Sequence, residues 1–202
     1  MISFDNIKIY LPKYLSTESE KKLFEEIKQF PDNIDQRFYT DFLMREETIF
    51  QGDGLSDLLV VDMKNNRIDK APSLVLSNSC DISLENKRYF PAQICYAPIF
   101  KLSKYQKFLM EIVGVEPAKV VEHLSVLRKQ YYTQIFYLPK GRLLDEESIV
   151  FLDRINHCSN KIIPRETLQD LRLFTLSNYG FYVFLIKLSI HFTRMRDSVD
   201  RC

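Results

Sequence analysis

Residues 181–186 are apolar without a break, and Leu188, Ile190 and Phe192 extend the run past Lys187. A helix built on such a stretch is apolar on every side, which is stable only where it crosses a core, sits in an interface or lies in lipid. A membrane span is not expected, because Lys187 and His191 interrupt a run already shorter than the roughly 18 residues a span needs. The spacing therefore predicts a core helix from about Asn178 to Arg196, with Ser177 as its N-cap. The rest of the chain must supply layers thick enough to wrap it. At 202 residues and 46% hydrophobic composition it can do so; one domain is the expectation, burying roughly 70% of its unfolded surface without staples. Five glycines and eight prolines are too few for a collagen or a low-complexity linker.

The elements upstream fall into three blocks within that single domain. Residues 1–41 predict an N-terminal strand (Ile2, Phe4, Ile7, Ile9) and a short amphipathic helix. Thr17-Glu18-Ser19-Glu20 reads as its capping box, Leu23, Phe24 and Ile27 as its buried face, and Pro31 as its stop. Residues 42–102 predict a β unit: a turn at Gln51-Gly52-Asp53-Gly54, strands over 58–63 and 74–76, a turn at Asn65-Asn66, and β structure over 89–100 bent or edged at Pro91 and Pro98. Residues 103–202 predict helices plus two further strands. A second capping box at Ser103 opens a helix with Tyr105, Phe108, Leu109, Ile112 and Val113 on one face, closed by Gly114. Pro117 opens the next, with Val120, Val121, Leu124 and Leu127 as its stripe. Strands over 131–138 and 148–153 either pair with each other or rejoin the β unit. The fold class is α+β, a small β barrel or curled antiparallel sheet with about four covering helices.

Chemistry concentrates at Ser77-Asn78-Ser79-Cys80-Asp81-Ile82, where an apolar strand runs into small polar residues and a cysteine beside an aspartate. Strand ends hold nucleophiles rigidly and loops expose them. A catalytic Cys80 needs a base to form thiolate; His157 is the leading candidate and His123 the second, with Asp81 placed to orient the base. The alternative is a structural Cys80 packed as a small hydrophobe, with Asp81 capping the turn. Ser77 and Ser79 are candidate binding residues beside it.

Cys80, Cys95, Cys158 and Cys202 form no CxxC pair, and His157-Cys158 has no regular ligand spacing, so neither metal nor cofactor is expected. Reduced thiols and no visible secretory signal suit a cytoplasmic protein. Phosphate-binding glycine loops, a GxSxG elbow and HExxH are absent from the sequence. The formal net charge of +1 argues against a dedicated nucleic-acid binder. A mild basic excess in the second half leaves Arg128-Lys129 beside Tyr131-Tyr132, and Arg194 and Arg196, as candidate phosphate contacts.

The Ser-Asn-Ser-Cys-Asp-Ile segment resembles that of a group of uncharacterised bacterial proteins with a Ser-x-[Ser/Thr]-Cys-Asp-[Ile/Leu] sequence after an apolar strand. Gln51-Gly52-Asp53 and the Leu176-Ser177 turn before the final helix are similar to two further stretches of that group, although Gly54 stands where an apolar residue is expected. The resemblance implies an accessory component of a mobile-element or phage-defence locus in a bacterial cytosol, and no reaction. Three functions follow as expectations. The first is a non-enzymatic interaction protein that docks a partner, or itself, through the final apolar helix. The second is a cysteine-dependent hydrolase or transferase using Cys80. The third is nucleic-acid binding through the basic C-terminal half.

Overall fold

The computed structural model describes residues 16–62 and 65–193. The expected strand over residues 2–10, and Arg194, Arg196 and Cys202, lie outside them. The described chain folds as α+β, a curled, open antiparallel sheet of eight strands with helices packed on it.

Helix α1 (Thr17–Lys28) begins at the residue expected to cap it. Ser16, not Thr17, accepts the free backbone N–H, from Ser19 at 3.2 Å. Leu23 and Ile27, one turn apart, are its buried residues. A 3-10 turn, Gln36–Phe38, then leads into β1 (Tyr39–Thr40). Residues 42–50, whose sequence suits helix or strand equally, form neither.

Strands β2 (Gly54–Asp62) and β3 (Arg67–Val75) make a hairpin whose turn holds Asn66 at φ 49°. The tight turn before β2 takes its positive φ at Gly52 (88°), not from the Asp-Gly pair. Gly54 is small for another reason: a Cβ there would strike the ring of Phe174. Strand β4 (Gln93–Lys101) pairs with β3 on one side. On the other it pairs first with β7 (Asn156–Ser159), then with β6 (Ser148–Phe151). Pro98 lies at the change of partner, between Tyr96, the last residue paired to β7, and Ile99, the first paired to β6. A residue without an N–H is tolerated where a ladder is broken.

The chain passes from Lys101 straight into α2 (Leu102–Glu111) with no side-chain cap, so the expected capping box at Ser103 does not form. Gly114, at φ 77°, ends this stretch, and Pro117 opens α3 (Pro117–Arg128) as expected. Strand β5 (Ile135–Leu138) pairs with β6, and β6 with β4, so the two late strands both pair with each other and rejoin the sheet. A four-residue helix, α4 (Leu168–Leu171), precedes β8 (Arg172–Leu176), which joins β1 to β2. The order across the sheet is β1-β8-β2-β3-β4-β6-β5, with β7 off β4.

The two-residue period of the strands divides the core. Leu74, Leu76, Phe136, Leu138 and Val150 face α1 and the final helix, α5 (Asn178–Thr193). Val75, Ile94 and Tyr96 face the opposite way, into a smaller cluster covered by Ile49, Ile82, Ile163 and Leu168. Ile135, Tyr137 and Ile149 meet α2 and α3 through Leu102, Val120, Leu124 and Leu127.

Ser177 caps α5, its Oγ accepting from Gly180 N–H at 3.2 Å. Tyr179, Gly180, Tyr182, Val183, Phe184 and Lys187 are buried in the chain's own core. A Cβ on Gly180 would collide with the Phe38 carbonyl, so the helix crosses that backbone where only glycine fits. Arg172 of β8 and Asp53 form a fully buried ion pair at 3.1 Å.

Candidate functional site

The residues after β3 serve first as a clasp. Ser77 Oγ accepts from Cys95 N–H and Ser79 Oγ from Gln51 N–H, each at 2.8 Å. Gln51 Nε2 in turn donates to Leu76 O at 2.8 Å. Gly52 N–H reaches Val75 O, and Val75 N–H returns to Asp53 O. Leu176 lies directly against Gly52, where a Cβ would come within 2.7 Å of its Cδ1. The three sequence stretches that carry the resemblance therefore meet in space. Ser77 and Ser79 each hold a backbone N–H of another segment, so they act here as braces.

Beyond the clasp, Cys80 is exposed rather than packed. Its backbone N–H donates to Asn78 Oδ1 at 2.9 Å, so Asn78, not Asp81, makes the side-chain turn. Asp81 pairs with Arg88. His157 is exposed on β7 opposite Cys95, and among the described residues no hydrogen bond ties Cys80 to a histidine. Cys158, next to His157, is half-buried; burial raises its thiol pKa, against a hydrogen bond with Tyr96.

His123 is held between two phenols, with Tyr105 Oη 3.0 Å from Nε2 and Tyr132 Oη 2.9 Å from Nδ1. Desolvation lowers its pKa. Its tyrosine partners come from other segments, Tyr105 from α2 and Tyr132 from the stretch before β5. The same corner holds Lys187, whose ammonium donates to the carbonyls of Gln130 and Tyr132. Desolvation lowers its pKa to about 8.

The expected basic cluster is largely neutralised. Arg128 forms a two-pronged pair with Glu147, both bonds 2.7 Å, and Tyr137 donates to the same carboxylate. Lys129 is exposed next to it. A groove of about 800 Å³ lies between α1, the start of α5 and the loop after β1. Phe42 stands at its mouth, 92% exposed. Its Arg142 is paired with Asp41 and its Arg37 with Asp35.

Apolar exposure collects away from α5. The face of α2 expected to be buried keeps Tyr105 and Leu109 against the core but leaves Phe108, Ile112 and Val113 in solvent. On α3, Val120, Leu124 and Leu127 are buried as expected, whereas Val121 is exposed. Among the described residues there is no cluster of ligands able to hold a metal ion, and no helix long and apolar enough to cross a membrane. No protein-family model matches the chain, and no curated protein matches it.

Proposed function

We propose that this chain is a non-enzymatic accessory protein that acts by docking a partner, in the bacterial cytosolic and phage-defence or mobile-element setting that the Ser-Asn-Ser-Cys-Asp-Ile resemblance implies. The observation that carries this reading is the helical hairpin of α2 and α3. Its inner side closes a core through Leu102, Val120, Leu124 and Leu127. Its outer side offers Phe108, Ile112, Val113 and Val121, with Ile112 74% exposed. Covering that surface releases roughly 25 cal/mol per Å² of apolar area, and grouped apolar exposure of this kind marks interaction surfaces. The first half of the final helix is buried in the chain itself, and Phe192 is its exposed large apolar residue among those described.

The test is site-specific photo-crosslinking in cells that express the full chain. A photoreactive residue replaces Ile112, and a control replaces the exposed Ile68 on β3. Defined crosslinks from position 112 and none from 68, to another protein or to a second copy, support the reading. Equal yields from both positions, or none from 112, overturn it.

A further inference from the structure

We propose that the loop between β3 and β4 is a binding site for single-stranded nucleic acid, with Tyr89 and Phe90 stacking on bases and Lys87, Arg88 and Lys161 holding phosphates. These five residues line one hollow of about 340 Å³. Tyr89 is 104% exposed and Phe90 84%, so both rings are open to a partner. Arg88 shares its charge with Asp81. Among the described residues neither Lys87 nor Lys161 has a carboxylate partner, and no acid lines the hollow.

Large aromatic rings left in water beside unpaired cations match a chain whose repeat is a flat ring and an anion. Stacking on a ring is sequence-tolerant and phosphates meet the lysines. The loop is braced to present them. Asn86 Nδ2 donates to Cys80 O at 3.1 Å, and Asn160 holds both edges, donating from Nδ2 to Ile82 O at 2.6 Å and from N–H to Ala92 O at 3.0 Å. The rings and cations line one concavity. The site is distinct from the Arg128-Lys129 cluster, where Glu147 already occupies the guanidinium.

The experiment is fluorescence anisotropy of end-labelled oligothymidylate and oligouridylate with the full chain, from low to moderate salt. Two double variants accompany it, Tyr89→Ala/Phe90→Ala and Lys87→Ala/Lys161→Ala. All four side chains are on the surface, and circular dichroism checks that each variant is folded. The wild type should bind single strands with a log–log salt slope of about −2, as about three phosphate contacts require. The aromatic variant should lose about thirtyfold or more in affinity, two stacked bases at about 1–3 kcal/mol each, with the slope retained. The lysine variant should flatten the slope by more than half. No binding at low salt overturns the proposal, as does affinity unchanged in the aromatic variant or equal affinity for duplex. Retention on anionic phosphatidylserine vesicles, lost in both variants without any oligonucleotide binding, also overturns it and assigns the loop to a membrane surface.

Discussion

Arg172 Nε donates to Asp53 Oδ2 across 3.1 Å, and neither side chain has any exposed surface. The guanidinium also donates to the carbonyls of Leu43, Met44, Glu46 and Thr48. One buried cation thereby organises the irregular stretch before β2 and attaches it to β8. Burial pushes the Asp53 carboxyl up while Arg172 pulls it down. Removing one member leaves the other charge buried alone, which costs about 3–5 kcal/mol. Asp53→Asn should lower the unfolding free energy by about that much in urea titrations. Arg172→Leu should do so and also speed amide exchange over residues 43–50. A loss below about 1 kcal/mol in both would show that the pair does not hold this loop.

The folded state should gain stability as the solution turns mildly alkaline. Lys187 is buried, and desolvation brings its pKa down from 10.5 to about 8. In that window the unfolded lysine keeps a proton that the folded one has released. The unfolded state binds more protons, so stability rises with pH. The full window is worth at most about 3 kcal/mol. Above the ordinary tyrosine range the sign reverses. Tyr39, Tyr137 and Tyr179 are raised by burial, so the folded state holds protons that the unfolded one loses. Urea midpoints across this range should therefore pass through an alkaline maximum, and Lys187→Met should remove the rising limb. A wild-type profile that only falls above neutral pH would contradict this.

What the sequence disclosed and what it hid divide along range. Local signals were readable: Gly114 and Pro117 between two helices, Ser177 before α5, and the alternation of Leu74, Val75 and Leu76. Cap positions slipped where another residue competed, as Ser16 displaced Thr17 and a strand ran directly into α2 ahead of Ser103. The open sheet order depends on β8 inserting between β1 and β2, a long-range pairing with no local signature. The Tyr105–His123–Tyr132 contact and the neutralisation of Arg128 by Glu147 are of the same kind. Phe108, Ile112 and Val121 looked buried because periodicity marks an apolar face without saying whether anything covers it.

Gly180 should tolerate no side chain. It sits where α5 crosses the 3-10 turn, and a Cβ there would overlap the Phe38 carbonyl. That carbonyl also accepts from Ser177 N–H at 2.8 Å, so it is not free to swing away. In a helix interior Gly→Ala ordinarily gains about 0.5–1 kcal/mol. Here the expected outcome has the opposite sign: Gly180→Ala should destabilise by about 1–3 kcal/mol through overpacking. Gly114, where an added Cβ would meet nothing, is the control for steric effects. Its positive φ makes Gly114→Ala mildly unfavourable for backbone reasons alone. A stabilised Gly180→Ala would show that the crossing has room.

The cysteines should react with iodoacetamide in an order set by exposure. Cys80 is exposed, whereas Cys95 and Cys158 are half-buried, and burial raises the Cys158 thiol pKa so that less thiolate is present at neutral pH. Peptide mass spectrometry on the native protein should find Cys80 modified first and Cys158 behind it, with the two converging in denaturant. Cys80 supports the turn with its backbone, through Asn78 and Asn86. Cys80→Ser should therefore shift stability by less than about 0.5 kcal/mol. A Cys80 that resists labelling until unfolding, or a serine variant that costs several times that amount, would mean that the thiol packs in the core after all.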